Sequence, residues 1–266
     1  MDLKNKNVII TGASGGIGKE LISIFIKEKA NLILVARDEE KLKNLSNSIE
    51  KKYNIKLDYY SADLSSEDAV SELITNIVQK HENIDVLINN AGVAIYDSVE
   101  EADINDLKRM MDVNFWGMVF CIKNILPLML KKNFGHIVNI ASVAGVRGFK
   151  NTSGYSASKF AIVGFSESLF KELEDTNVNL SVVCPGTVET EMLDGLKSKM
   201  DLETMGVKPL KPIVVAQKTI EIIKKNKKIF IFPFIIPILM NFEKIFPKIA
   251  KKIVLKVAQY NKKHFN

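Results

Sequence analysis

The chain has 266 residues, 47% of them hydrophobic and 26% charged, which is enough apolar matter for a full core and too little polar excess for a disordered chain. Cys121 and Cys184 stand far apart in apolar runs at no metal-ligand spacing, arguing against a disulfide framework or zinc site. The net charge of +6 is uneven, because the stretch from Lys224 onward holds eleven lysines and one acid, Glu243. Those lysines alternate with isoleucine and phenylalanine and carry no nucleic-acid motif, so nucleic acid is not an expected partner. Met1-Asp-Leu-Lys-Asn-Lys lacks an apolar leader and residue 2 is not the glycine of a lipidation site, so a cytoplasmic protein is expected.

Asn7 to Thr11 is a short, β-branched apolar run, the pattern of a strand buried on both faces. Gly12-Ala-Ser14-Gly15-Gly16-Ile17-Gly18 follows at once, and Lys19 to Lys29 reads as an amphipathic helix with Leu21, Ile22, Phe25 and Ile26 inward. A strand, a glycine turn and a helix make a phosphate-binding crossover. The glycines let the backbone approach a pyrophosphate, which free N–H groups and the positive helix end receive. Leu32 to Ala36 is the second strand and ends in Arg37, where a dinucleotide fold that prefers NAD carries an acid. A guanidinium there suits a 2′-phosphate, so NADP(H) is expected in preference to NAD(H), although Asp38 next to it pulls the other way.

A helix over Asp38 to Tyr53 and a strand over Lys56 to Ser61 come next, with Asp63 and Leu64 beyond the strand end, placed to meet the adenine edge. Ser66 to Lys80 is a helix with Ser65 or Ser66 as N-cap. The strand Ile84 to Ile88 leads into Asn89-Asn-Ala91-Gly92, whose small residues allow backbone contact with a ribose; the Asn89 amide either joins that contact or serves only the sheet. Asp103 to Lys132 is helical, with two irregularities expected. Asn114 competes for backbone hydrogen bonds and invites a local distortion or a bound water, and Pro127 should kink or reshape the segment.

His136 to Ile140 is the fifth strand, with His136 read as structural, and Ser142 follows its carboxyl end. Tyr155 and Lys159 then share one face at the start of a helix that runs to Glu174. A phenol is a poor acid or base at neutral pH, but a cation beside it favours the phenolate, so Ser142, Tyr155 and Lys159 form a candidate site for polarising a carbonyl and protonating its oxygen. Asn179 to Cys184 is the sixth strand, closed by Pro185-Gly186-Thr-Val188-Glu-Thr190. Six alternations of strand and helix, with each motif at a strand's carboxyl end, describe a doubly wound α/β domain of parallel strands with helices on both faces.

Taken together, Thr11 to Gly18, Asn89 to Gly92, Asn114, Ser142, Tyr155 to Lys159 and Pro185-Gly186 resemble the short-chain dehydrogenase/reductase family in order and spacing, over about residues 5 to 230. The resemblance implies a Rossmann-type sheet of about seven strands and a catalytic set of Asn114, Ser142, Tyr155 and Lys159, in which Asn114 steadies a water-linked proton relay. It also implies dinucleotide contacts at Gly12, Ser14, Gly15, Gly16, Ile17, Gly18, Arg37, Asp63, Leu64, Asn89, Ala91, Gly92, Tyr155, Lys159, Pro185, Gly186, Val188 and Thr190. Many NADP-dependent members carry a basic residue where this chain has Gly15, which leaves Arg37 to carry the NADP argument.

The activity so implied is NADP(H)-dependent interconversion of a carbonyl and a secondary alcohol by a homodimer or homotetramer. A non-catalytic dinucleotide-binding protein is the rival of another class. Residues 1–232 form the expected domain, with 190–210 as a cover over the substrate; Met192, Leu193, Leu196, Met200 and Met205 suit an apolar pocket. Lys228 to Phe232 is expected to add the seventh strand. In residues 233–266, Ile245, Ile249, Ile253 and Val257 recur at helical spacing among lysines, giving an apolar and basic helix that packs on the domain, on a partner subunit, or on the inner face of a membrane. The tail loosely resembles extensions of family members acting on steroid-like or lipid-like carbonyls, and it argues against the alternative of a 3-oxoacyl carrier-protein reductase.

Overall fold

The computed structural model describes residues 1–197 and 208–234, with positions 237, 238, 242, 245 and 246. Its strands are β1 (Asn7–Thr11), β2 (Asn31–Ala36), β3 (Asp58–Ser61), β4 (Val86–Asn89), β5 (Gly135–Ile140), β6 (Val178–Pro185) and β7 (Ile229–Phe232). They form one parallel sheet in the order β3-β2-β1-β4-β5-β6-β7. Side chains alternate between its faces, as the two-residue period of a strand requires. On one face Ile9, Ile33, Leu87, Ile137 and Val182 share a core with helices α3 (Glu67–His81), α5 (Gly117–Lys132) and α6 (Ser153–Glu172). On the other, Val8, Ile10, Leu34, Ile88, Val138 and Val183 meet α1 (Gly16–Lys27), α2 (Glu39–Tyr53) and α8 (Pro212–Lys225).

The chain builds outward from β1 to β2 and β3, then crosses to the opposite side for β4. That reversal opens a crevice at the carboxyl ends of β1 and β4, where sheets of this kind place ligands. Helix caps fix several boundaries. The Asp38 carboxylate accepts the Lys41 N–H at 2.9 Å and starts α2, while Ser66, not Ser65, caps α3 by accepting the Ala69 N–H. The first helix begins at Gly16, inside the glycine turn and earlier than the expected Lys19, and β3 begins at Asp58 instead of Lys56.

The expected helix from Asp103 to Lys132 is divided. Asp103 caps α4 (Ile104–Met111), a π-helical turn occupies Asp112–Trp116, and α5 follows. The distortion sits at Asn114 as its poor helix-forming chemistry anticipates, whereas α5 continues through Pro127 to Lys132. The stretch Ile104–Lys132 is long and apolar enough to cross a membrane by composition, but Cys121, Ile122, Ile125 and Met129 on it lie in the core. Both cysteines are buried free thiols, pushed up to about 12 by burial. The expected tail helix beyond Phe246, and Met200 and Met205 of the expected cover, lie outside the described residues.

His136 is structural, as its place at the start of a strand suggests. The Ser181 hydroxyl donates to the Lys227 carbonyl at 2.7 Å, so His136 Nε2, 2.8 Å from the same oxygen, must carry the proton and donate. Burial, with help from the N-terminal ammonium charge, lowers its pKa to about 4 from 6.5. The unfolded chain therefore binds an extra proton between these values. The neutral imidazole's contribution is complete above pH 6.5 and is lost as pH falls through the window toward 4, on the order of 3 kcal/mol in all. Thermal unfolding at pH 7 and pH 4.5 should show this loss, and His136→Gln should reduce it; an identical pH dependence in the variant would assign the acid sensitivity elsewhere.

Candidate active site

The glycine turn is built for close backbone approach. Gly12 has φ +63°, and a Cβ on it would stand 2.7 Å from the Ala91 Cα and 2.9 Å from the Ala91 nitrogen, so only glycine lets the turns after β1 and β4 touch. Gly15 is the N-cap of α1 with no side chain capping the helix, and a Cβ there would meet nothing nearer than the Gly12 carbonyl at 3.4 Å. The helix start thus has no side-chain cap and room beside Gly15, which fits the pyrophosphate of a dinucleotide. Ser14 and Ile17 lie on the same turn, Ile17 partly packed against the core. The Thr190 methyl reaches to 2.7 Å from a Cβ built on Gly16, so the loop after β6 closes over the turn.

Arg37 is exposed at the end of β2. Its neighbour Asp38 caps α2 with one carboxylate oxygen, Oδ1, which accepts the Lys41 N–H. Asp63 accepts both the Ser65 N–H and hydroxyl, and these bonds, more than the nearby Arg37 and Arg109 charges, hold its carboxyl below the usual range. Leu64 is buried beneath the π turn, its carbonyl 2.9 Å from a Cβ built on Gly117.

After β4 the two asparagines divide their work. Asn89 is buried and donates to Asn139 Oδ1 on β5 at 2.9 Å, while its own Oδ1 has no partner. Asn90 donates to the Thr11 and Gly12 carbonyls at 3.0 and 3.1 Å, and the N–H groups of Asn90 and Ala91 reach the Thr11 hydroxyl. Of the two readings of Asn89, service to the sheet is the one that hydrogen bonding favours; Asn90 and Thr11 pin the turn.

Ser142, Tyr155, Lys159 and Asn114 come together beside this turn. Ser142 lies two residues beyond the end of β5 and accepts the Ala144 N–H at 3.1 Å, opening a 3₁₀ turn over Val143–Gly145. Gly145 lies directly on the Lys159 carbonyl, where a Cβ would come within 2.6 Å of that oxygen, so this turn and α6 are locked together. The start of α6 is set from the other side as well, since Gly154 packs on Leu107 and Met110 of α4. Lys159 is only 4% exposed, donates to the Ile140 carbonyl at 3.0 Å, and holds its Nζ 5.7 Å from the Tyr155 ring centroid. Asn114 accepts the Val93 N–H at 2.7 Å and donates to the Val93 carbonyl and the Ser158 hydroxyl, both at 2.9 Å. Gly92 separates the two: a Cβ there would be 3.2 Å from Asn114 Oδ1 and 3.6 Å from Lys159 Nζ.

Burial governs the titration of this cluster. It pushes Tyr155 up to about 12, with hydrogen bonding by Ser142 acting against it, and it pulls Lys159 down to about 8. The expectation that the lysine's charge sets the phenol low is therefore corrected: removing water from each group favours its neutral form, opposed at the phenol by the Ser142 hydrogen bond. Across neutral pH the cluster holds a protonated phenol beside an ammonium, the arrangement of an acid.

Pro185 ends β6 opposite Phe232, and the Gly186 N–H just beyond donates to the Phe232 carbonyl at 2.8 Å. Val188 pairs with Leu210, and the Glu189 and Leu210 N–H groups complete the bridge, so the intervening segment is closed at its base. Helix α7 (Glu191–Lys197) rises from that base with Leu193 buried and Met192 partly so. The paired asparagines were expected to pin the turn through side-chain to backbone bonds, as Asn90 does, whereas sequence reasoning gave no separate role to Thr11, Ser158 or Tyr96. The doubled asparagine and the threonine ending β1 carried a signal, whereas Tyr96 lies in an irregular loop without periodicity.

Residues 6–201 match the short chain dehydrogenase family. A 3-oxoacyl-[acyl-carrier-protein] reductase of Thermotoga maritima is 34% identical over 221 residues, 82% of this chain and 89% of the relative. An NADP-dependent 3-hydroxy acid dehydrogenase of Schizosaccharomyces pombe is 33% identical over 235 residues, covering 86% and 91%. A solved structure of ElxO with NADP bound superposes with a TM-score of 0.73 at 31% identity, covering 81% of this chain and 90% of that one. With its seven-stranded parallel sheet and the match over residues 6–201, this chain is an oxidoreductase that belongs to the short chain dehydrogenase family.

Proposed function

We propose that the protein interconverts a carbonyl and a secondary alcohol with NADP(H), Asn114, Ser142, Tyr155 and Lys159 acting as the catalytic set. The observation that carries this reading is the buried Lys159 beside Tyr155, the lysine held on the Ile140 carbonyl at the carboxyl end of β5 and the phenol within hydrogen-bonding reach of Ser142. The dinucleotide supplies or takes up the hydride. Ser142 holds the substrate oxygen by hydrogen bond, and Tyr155 gives it the phenolic proton. Lys159, fixed on the Ile140 carbonyl, places a positive charge where the phenolate forms. Asn114 clamps the loop after Gly92 through both polar groups of Val93. Gly12 to Gly18 would hold the pyrophosphate, Arg37 the 2′-phosphate, Asp63 and Leu64 the adenine edge, the Ala91-Gly92 turn a ribose, and the Pro185 to Thr190 loop the nicotinamide end.

NADP(H) is proposed over NAD(H) because Arg37 is exposed at the end of β2, and the NADP-dependent relative supports it. Arg37→Ala should raise the NADPH dissociation constant by about 10- to 150-fold, the equivalent of roughly 1.5–3 kcal/mol for hydrogen bonds to a charged group. NADH binding should change little; equal losses for both would remove the preference.

The proposed substrate is an apolar, steroid-like or lipid-like carbonyl compound, with residues 190–210 as its cover, supported by Leu193 and Met192 on α7. Reduction of a 3-oxoacyl group on a carrier protein is the second reading, favoured by the Thermotoga maritima relative. NADPH oxidation with a panel of free ketones and with a carrier-bound 3-oxoacyl thioester decides between them. A homodimer or homotetramer is proposed on the exposed aromatic rings of Trp116 and Phe160. Contact of the tail with a membrane surface is proposed on the exposure of Phe234, Ile238, Ile245 and Phe246 beside a lysine-rich sequence.

A further inference from the structure

A second phenol lies against Tyr155. Tyr96 packs its ring edge-on to that of Tyr155, with centroids 5.8 Å apart and planes at 61°. The residue is only 8% exposed, its hydroxyl is not among the buried polar atoms that lack a partner, and no described residue hydrogen-bonds to it, so that the hydroxyl is left to solvent. A phenol whose ring is packed in the core while its hydroxyl still reaches solvent beside the Tyr155 ring is placed to exchange that solvent contact for one with a ligand. Its loop is held in place at two points. Asn114 grips both the N–H and the carbonyl of Val93, and the Ile95 N–H donates to Met110 Sδ at 3.4 Å. The Tyr96 ring is therefore fixed by contacts that do not use its hydroxyl. Burial and the neighbouring Tyr155 both push its pKa up, so the hydroxyl remains a donor throughout the working range.

We propose that Tyr96 is a specificity-determining residue that donates a hydrogen bond to a second oxygen on the substrate, close to the carbonyl that Tyr155 serves. This deepens the proposed reductase function and rests on it. The chemical class it selects is the oxo compound with a further acceptor nearby, such as a 3-oxo ester or a 1,3-diketone. A plain ketone would cover the Tyr96 hydroxyl without offering it an acceptor. A site that offers a donor discriminates strongly against an analogue lacking the acceptor, because its own polar group is then stranded.

The test uses the full chain saturated with NADP⁺ and two probes of matched length, a 3-oxo ester and an unfunctionalised methyl ketone. Binding is measured by calorimetry, and reduction with NADPH alongside it. The wild type should bind the ester about tenfold to a hundredfold more tightly than the ketone. Tyr96→Phe keeps the ring against Tyr155 and removes only the hydroxyl, so it should erase that preference by weakening ester binding while ketone binding and NADPH affinity stay as they were. An unchanged preference in Tyr96→Phe, or an equal loss for both probes, overturns the proposal. Because this readout is selectivity in binding, it can fail while reduction through Tyr155 stands, and the reverse also holds.

Discussion

Replacing Tyr155 with phenylalanine is expected to lower the rate of carbonyl reduction by about 10²- to 10⁴-fold, the range for removing a positioned general acid. NADPH affinity should stay within about twofold of wild type, since the ring, its edge contact with Tyr96 and the Lys159 bond to the Ile140 carbonyl survive the loss of one hydroxyl. The pH profile supplies a second readout. With Tyr155 at about 12 and Lys159 at about 8, the phenol keeps its proton through the accessible range while the ammonium does not. In the wild type, kcat/KM for reduction should hold below pH 8 and fall as pH rises through it. Steady-state kinetics on both proteins checks the pair of statements. A loss under tenfold in the variant would take proton transfer away from Tyr155, and a wild-type profile flat to pH 10 would remove the lysine's charge from the reaction.

The second large effect is expected in the glycine turn, where two substitutions should separate structure from binding. A Cβ on Gly18 would stand 2.7 Å from the Ala13 carbonyl oxygen and 2.8 Å from the Ala13 Cα, and would run into the Gly12 carbonyl as well. All three are backbone atoms of the turn that carries α1, so none can rotate aside as a side chain could. Gly18→Ala should cost about 3 kcal/mol, or roughly 6–12 °C in melting temperature for a domain of this size. Gly15→Ala meets only the Gly12 carbonyl, at an ordinary contact of 3.4 Å, and should melt like the wild type. Its methyl group would nevertheless stand over the free N–H groups at the start of α1, so NADPH should bind more weakly. Thermal unfolding and NADPH titration of the two variants check the contrast; a wild-type melting temperature for Gly18→Ala would show that the turn yields where its backbone contacts say it cannot.

The alternation of apolar runs with amphipathic segments determined the order of elements and the parallel sheet, because both periodicities are local properties of the chain. Turn chemistry was local too: Gly12 to Gly18, Asn89 to Gly92 and the Ser65-Ser66 pair each stand where their residues announce a change of direction, and the structure makes Ser66 the cap. Even the break in the long helix at Asn114 was legible, as a residue that competes for backbone bonds. Other features depended on what packs against what. That Asp38 caps α2 through one of its carboxylate oxygens follows from backbone geometry at the end of β2. Asn89 and Asn90 are chemically identical in the sequence, yet alternate side-chain direction turns one into the sheet and the other onto the Thr11 and Gly12 carbonyls. The titration of Tyr155 and Lys159 could not be read from their spacing, since burial decides it and burial is conferred by α4, the turn after β5 and β4's loop together. Tyr96 reached the site only through tertiary contacts at Val93 and Ile95, which place a side chain from an unpatterned loop against one from a helix far along the chain.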